Sequence, residues 1–256
     1  RSLIYPINIK WSLHMLTNIQ IEHYHEKGYV IPDYCIRGSI LREIREKHSR
    51  VIRKYPEYRD NCPDLLNCDP TFIKYAQNSE ILDMVSQLIG SNIALWNMSF
   101  FAKPARNGKK TPWHQDGPYY FVDGIQNVSF WSPVDPVTEA SLRCVAGSHL
   151  WSKPVLPTRW LSEENFYPEA DKYMEVPDPD AEGMKIKEWN LEPGDAVAFN
   201  YGILHGARGN DTGSRRRAFS LRLLGDDCRY IERPGPTSPP FPNHGMKPGD
   251  RLREDW

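Results

Sequence analysis

Ala196-Val-Ala-Phe-Asn-Tyr-Gly-Ile-Leu-His205 is the stretch on which the fold turns. Val197, Phe199, Tyr201, Ile203 and His205 alternate with smaller or polar residues, so an extended chain would place all five on one face. Pro193-Gly-Asp195 supplies turn chemistry before it, and 209–214 supplies it after. Runs of the same texture occur at 93–103, 126–131, 140–145, 184–191 and 216–224, rich in aromatic and β-branched residues. Turn-forming segments at 104–108, Pro133 and 146–148 separate them. Short strands at this spacing predict a sandwich or barrel.

The first ninety residues read differently. A helix is expected from Leu16, capped by Thr17 or Asn18 and stopped by Gly28, with a short strand at 29–32 after it. Helices are expected at 39–55, with Ile40, Leu41, Ile44 and Ile52 inward, and at 70–89, with Gly90 beyond its end. The chain is therefore mainly β with a helical flank, one domain over 15–256. It divides into a flank at 15–90, a core at 93–224 interrupted by a polar insertion at 150–182, and a Pro-rich tail at 232–256. Residues 1–14 read as an extension ahead of a natural start at Met15, outside the expected fold.

Thirty-two basic residues against 33 acidic ones leave a net charge of −1. That balance argues against a nucleic-acid partner and against a polybasic membrane anchor. No apolar run approaches the roughly 18–20 residues of a spanning helix. The mean hydropathy is −0.62, yet 8 Trp and 12% aromatic residues exclude general disorder. Five cysteines, Cys35, Cys62, Cys68, Cys144 and Cys228, form no CxxC pair. The odd count fits reduced thiols, and with no signal peptide at the N-terminus a cytoplasmic location is expected.

Eight histidines are present. His14 and His48 fall in N-terminal or helical context, and so do His23 and His25, which as i and i+2 on a helix diverge by about 200°. His149 reads as a turn residue. His114-Gln-Asp116 differs: if extended, the two side chains share a face with Cα atoms about 6.8 Å apart. His205, at the mouth of an apolar strand face, can supply a third ligand. Two histidines and one carboxylate leave open positions on a metal, the arrangement of non-haem Fe(II) oxygenases, and the set also suits Zn2+. Eleven residues after His205, Arg216 opens the last strand, and its guanidinium is a fork for a carboxylate.

The stretch Lys103-Pro-Ala-Arg-Asn-Gly-Lys-Lys-Thr-Pro-Trp-His114-Gln-Asp116, the turn Ala146-Gly-Ser-His149, and Pro193-Gly-Asp195 with His205-Gly-Ala-Arg-Gly-Asn210 and Arg216-Arg-Ala resemble the phytanoyl-CoA dioxygenase family. The resemblance covers about 16–233. It implies a double-stranded β-helix, a jelly-roll or cupin-like barrel with the N-terminal helices packed outside. It also implies an Fe(II)- and 2-oxoglutarate-dependent dioxygenase that uses O2 to hydroxylate an unactivated C–H of a small molecule, releasing succinate and CO2. By position, His114, Asp116 and His205 would be the iron ligands. Arg216 would pair with the far carboxylate of 2-oxoglutarate, Trp131 would line its pocket, and Ser99 would be another co-substrate contact.

Asn127, Ser129, Arg222 and Tyr119 are candidate substrate residues. Asp116 is informative, because iron halogenases on this fold replace that carboxylate with Ala or Gly. Four positions depart from the family: Ala146 stands for a Pro, Glu139-Ala140 for Asn-Gly, and Ala207 for a hydroxyl residue. The competing expectations are a metal-dependent hydrolase or isomerase on the same barrel, and a non-catalytic small-molecule binder.

Overall fold

The computed structural model describes residues 5–6, 16–33, 36, 38–90, 92–159, 164–168, 171–241 and 245–252. His14, Cys35 and His244 lie outside them. The helical flank begins with α1 (Asn18–Lys27), where the Thr17 hydroxyl and Gln20 form a reciprocal capping box. Gly28 ends it at φ 84°, a left-handed position that suits a residue without Cβ. Next, α2 (Ser39–Lys54) buries Leu41, Ile44, His48 and Val51.

A short α3 (Leu65–Cys68), capped by Asp64, is an element the apolar spacing does not announce. The single helix expected over 70–89 arrives as a 3-10 turn, α4 (Ile73–Ala76) and α5 (Ser79–Ile89). The cause is Asn78, whose side chain accepts from the Glu80 and Ile81 amides at 2.9 and 3.3 Å and so restarts the helix.

Thirteen strands are present among the described residues: β1 (Tyr5–Pro6), β2 (Tyr29–Val30), β3 (Asn61–Cys62), β4 (Ala94–Lys103), β5 (Thr111–His114), β6 (Val122–Asp123), β7 (Asn127–Pro133), β8 (Arg143–Val145), β9 (Ile186–Glu188), β10 (Val197–Phe199), β11 (His205–Ala207), β12 (Arg216–Leu224) and β13 (Arg229–Tyr230). The larger sheet runs β1-β4-β12-β7-β10-β2, with β3 also on β4. The smaller runs β5-β11-β8-β9, and β13 pairs β6. Neither sheet closes on itself; they lie face to face as a double-stranded β-helix. Within the segment expected to be an extension, Tyr5–Pro6 pairs with Leu95 and Ala94 at the sheet's edge.

Alternation divides the large sheet cleanly. Phe100, Phe130, Phe219 and Leu221 point outward and are buried against Ile44, Val51, Ile81 and Val85 of the helices. Each large apolar side chain buried this way contributes about 1.5–3 kcal/mol. The other face looks toward the small sheet. On it, register sets Lys103 opposite Arg216, Phe101 opposite Ala218, Ser99 opposite Ser220 and Asn97 opposite Arg222. Trp131 and Ser129 of β7 follow beside Ser220 and Arg222.

The run 196–205, expected as one strand, is two: β10 belongs to the large sheet and β11 to the small. A turn in which Gly202 and Ile203 donate to Asn200 breaks it. Val197, Phe199 and Ile203 pack between the sheets, whereas Tyr201 joins a separate cluster with Trp96 and Tyr120. The expected strand 140–145 likewise shortens to β8, because Ala140 takes a left-handed φ of 53°.

Candidate active site

Local chain geometry brings His114, Asp116 and His205 together. His114 ends β5 and His205 opens β11, and the two are directly paired in register, with ring centroids 4.2 Å apart. Asp116 reaches them from a helical turn rather than from continued strand, at φ −66° and ψ −46°. The intervening Gln115 points away: it donates to the Gly202 carbonyl at 2.6 Å and accepts from the Val155 amide at 2.7 Å, tying the 150–182 segment to the site.

The three side chains are buried, and their candidate ligand atoms lie within 4.8 Å of one another. Asp116 Oδ1 is 3.8 Å from Nε2 of each histidine, too long for a hydrogen bond. Each imidazole instead uses Nδ1 toward a backbone carbonyl, Pro112 at 2.8 Å for His114 and Ile203 at 3.0 Å for His205. Donation from Nδ1 fixes the tautomer and leaves Nε2 as a lone pair, as metal-ligating histidines require.

Electrostatics agree with that state. Burial, followed by the neighbouring His205, holds His114 down to about 3, and burial also lowers His205. Burial alone would push the Asp116 carboxyl up, but Arg222, the two imidazoles and Ser129 outweigh it and hold it at about 2. Two neutral imidazoles and a carboxylate converging in a buried pocket fit a divalent iron centre.

These residues face a cavity of about 590 Å3, which Ser99, Tyr119, Trp131, Arg216 and Arg222 also line. Arg216 is buried, and burial lowers it to about 10. Its guanidinium carbon lies 5.4 Å from the Trp131 ring centroid, and its Nε donates to the Ala140 carbonyl at 2.9 Å. Ala140, in the loop that departs from the family pattern, takes a left-handed φ of 53° and presents its carbonyl to Arg216. No carboxylate pairs with Arg216 among the described residues.

Directly opposite stands Lys103, a cavity residue that the motif contains but sequence reasoning did not single out. Its signal was available, since it lies four residues after Ser99 on the same strand face. Burial, then Arg216 and Lys109, lowers its ammonium to about 8. Like charges placed opposite each other on a sheet are destabilising unless an anion joins them.

The remaining candidates take different places. Ser99 reaches the cavity and hydrogen-bonds Asn97 Oδ1 and the Pro63 carbonyl. Tyr119 lines the wall, its hydroxyl held by the Thr158 backbone. Asn127 is not brought to the cavity; its side chain bridges the Gly124 carbonyl and the Tyr201 amide. Ser129 lies behind Asp116, donating to Oδ2 at 2.8 Å. Arg222 faces inward, with Nε 3.3 Å from the same Oδ2 and 2.6 Å from the Tyr120 hydroxyl. Tyr120, which follows Tyr119 just after the His-x-Asp motif, is also a cavity residue. His149 contacts the His25 carbonyl at 3.0 Å and stays outside the cluster.

Comparison with known proteins agrees with this geometry. Residues 24–218 match the family described as phytanoyl-CoA dioxygenase (PhyH). A probable phytanoyl-CoA dioxygenase of Caenorhabditis elegans is 26% identical over 87% of this chain and 80% of its own length. The peroxisomal phytanoyl-CoA dioxygenase of Homo sapiens is 24% identical over 89% of this chain and 75% of its own. Among solved structures, the non-haem α-ketoglutarate-dependent carbocyclase SnoK from nogalamycin biosynthesis superposes with a TM-score of 0.73 at 19% identity. That match covers 93% of this chain and 94% of SnoK, and it shows a shared fold. No helix among the described residues is long and apolar enough to cross a membrane.

Proposed function

The chain belongs to the phytanoyl-CoA dioxygenase family, and from that premise we propose that it is an Fe(II)- and 2-oxoglutarate-dependent dioxygenase hydroxylating a C–H bond of a small molecule. His114, Asp116 and His205 hold the metal. Ferrous iron, when bound, supplies the redox chemistry that couples oxidative decarboxylation of 2-oxoglutarate by O2 to oxidation of the substrate. The balance is R–H + 2-oxoglutarate + O2 → R–OH + succinate + CO2.

The protein's own part is positioning. Arg216 and Lys103 bind the far carboxylate of 2-oxoglutarate, and Trp131 packs beside Arg216. This turns the 2-oxo acid end toward the triad. Ser99, on the same strand face, lines the way between them, and Ala207 contributes no hydroxyl, which leaves more of the anchoring to the two cations. Phe199, Leu142 and Trp131 supply apolar wall that excludes water.

The observation that carries this reading is the buried Arg216, without a carboxylate partner among the described residues, in the same cavity as the neutral His pair and Asp116. The intact Asp116 separates this site from iron halogenases on the fold, and because a carbocyclase also shares it, product identification distinguishes hydroxylation from cyclisation. Anaerobic binding of 2-oxoglutarate to the Mn2+-loaded protein, followed by succinate formation with Fe(II), ascorbate and O2, tests it. Succinate without bound-zinc dependence is the expected result. Absence of succinate from a protein that retains zinc tightly would favour a hydrolase or isomerase on this scaffold.

A further inference from the structure

Arg222 is a cation 5% exposed in the middle of β12, and the one carboxylate it pairs with among the described residues is Asp116. Its Nε reaches Oδ2 at 3.3 Å and the Tyr120 hydroxyl at 2.6 Å, while Nη1 meets the Ser220 hydroxyl. Ser129 donates to the same Oδ2 at 2.8 Å. The other oxygen, Oδ1, is the one that faces both histidines. The carboxylate is therefore divided: one oxygen toward the ligand cluster, the other held from behind by a charge and a hydroxyl.

We propose that Arg222 and Ser129 fix Asp116 as a one-oxygen ligand and thereby set how many positions at the metal remain open. This rests on the oxygenase reading above. Two imidazoles and one oxygen occupy three of six positions on a ferrous centre. A second carboxylate oxygen would take a fourth and leave two, both of which a chelating 2-oxo acid would fill. Turning Oδ2 forward would strip Arg222 of its counter-ion in a buried site, which is costly. The holding residues resist following the rotation: both rise from paired positions of the sheet, and Tyr120 and Ser220 also hold the Arg222 guanidinium. Arg222 and Ser129 are positioning residues in this scheme.

Arg222→Met, Arg222→Lys and Ser129→Ala test it by calorimetry with Mn2+, then with 2-oxoglutarate on the Mn2+-loaded protein, alongside water-proton relaxation by the bound Mn2+. In Arg222→Met, loss of the cation and release of Oδ2 should tighten Mn2+ at least about tenfold, weaken 2-oxoglutarate by a similar factor and cut the relaxation by about one third, three exchangeable waters becoming two. Arg222→Lys should move all three back toward wild type. Ser129→Ala changes no charge and should shift them in the same directions, by about threefold in each affinity.

Parallel losses of both affinities would mean a merely structural role and overturn the proposal. Unchanged relaxation, or shifts in Arg222→Met with none in Ser129→Ala, would mean a distant charge effect and overturn it as well. Should Arg222→Met not fold, Ser129→Ala and Arg222→Lys distinguish the same outcomes. Wild-type protein that binds Mn2+ but no 2-oxoglutarate refutes the oxygenase reading itself, an outcome distinct from wild-type binding with parallel losses in the variants.

Discussion

Replacing Arg216 with Gln removes the charge at the proposed carboxylate anchor while keeping a shorter, polar side chain. Arg216 is 5% exposed and lacks an acidic partner among the described residues, so a carboxylate that meets it does so in a desolvated setting. Truncating one partner of such a buried charged pair costs about 2–5 kcal/mol. Two features of the structure place the loss at the lower end. Arg216 already directs Nε and Nη2 to the Ala140 carbonyl, and Lys103 remains opposite as a second cation.

About 2 kcal/mol corresponds to a roughly 30-fold weaker dissociation constant, and 30- to 100-fold is the expected range. The assay is anaerobic calorimetry of 2-oxoglutarate into Mn2+-loaded protein, with Mn2+ affinity measured separately and expected within twofold of wild type. Arg216→Lys should recover part of the loss, because it restores charge without the fork. A 2-oxoglutarate affinity changed less than about threefold, with Mn2+ binding intact, would refute Arg216 as the anchor.

Lys103 sits at about 8 because of burial, Arg216 and Lys109; its charge is present below that pH and lost above it. Affinity for 2-oxoglutarate should therefore decline as pH rises through about 8 in wild type, and a titration of Lys103→Gln should show no such decline. His48 is 1% exposed, stacks 3.5 Å from Phe100 and is lowered to about 3 by burial and by Arg217 and Arg215. An unfolded histidine takes its proton near 6.5, so the folded state loses about 1.4 kcal/mol per pH unit below that value, down to about 3. Urea unfolding at pH 7 and 5 should show His48→Leu losing about 2 kcal/mol less than wild type over that interval; equal losses would exclude His48 as the source. Ser238→Trp, at the cavity rim, should leave Mn2+ and 2-oxoglutarate binding within twofold. It should also shrink the rise in Tm that library compounds give the Mn2+- and N-oxalylglycine-loaded protein, and undiminished rises would count against the rim as a substrate wall.

The parts legible in the sequence are those dictated by local chemistry. Thr17, Gln20 and Gly28 bound α1 by capping, and period-two alternation put Trp131 with Ser129 and Arg216 with Arg222 on one face of the large sheet. Two of the runs that differ from expectation, 70–89 and 196–205, do so for a local reason that competes with periodicity. Asn78 and Asn200 each satisfy nearby amides with a side-chain oxygen, which restarts a helix in one case and turns the chain into another sheet in the other. Apolar spacing continues through both points and hides the break. The roles of Lys103 and Tyr120 could not be read in the sequence because they come from partners far along the chain, Arg216 by cross-strand register and Arg222 by a contact over 102 residues.

That division explains what the site leaves to its loops. The strand face supplies cations at one end and the Asp116 clamp at the other, in an order fixed by the pairing of β4, β12 and β7. The outer row of Phe100, Phe130 and Phe219 protects this order, since a one-residue slip would turn the row inward and the cations into the helices. The remaining cavity wall comes instead from segments without such pairing: Tyr119 after the Asp116 turn, and Ser238 and Pro239 of the tail. The tail is nevertheless fixed at its base. Ser238 donates to the Tyr119 carbonyl at 2.9 Å, and Arg233 donates to the Gly117, Tyr120 and Val122 carbonyls. The residues that follow Asp116 are thus bound to the base of the tail that walls the cavity. A substitution in the exposed part of the tail should therefore alter the cavity wall while these bonds keep the Asp116 turn in place.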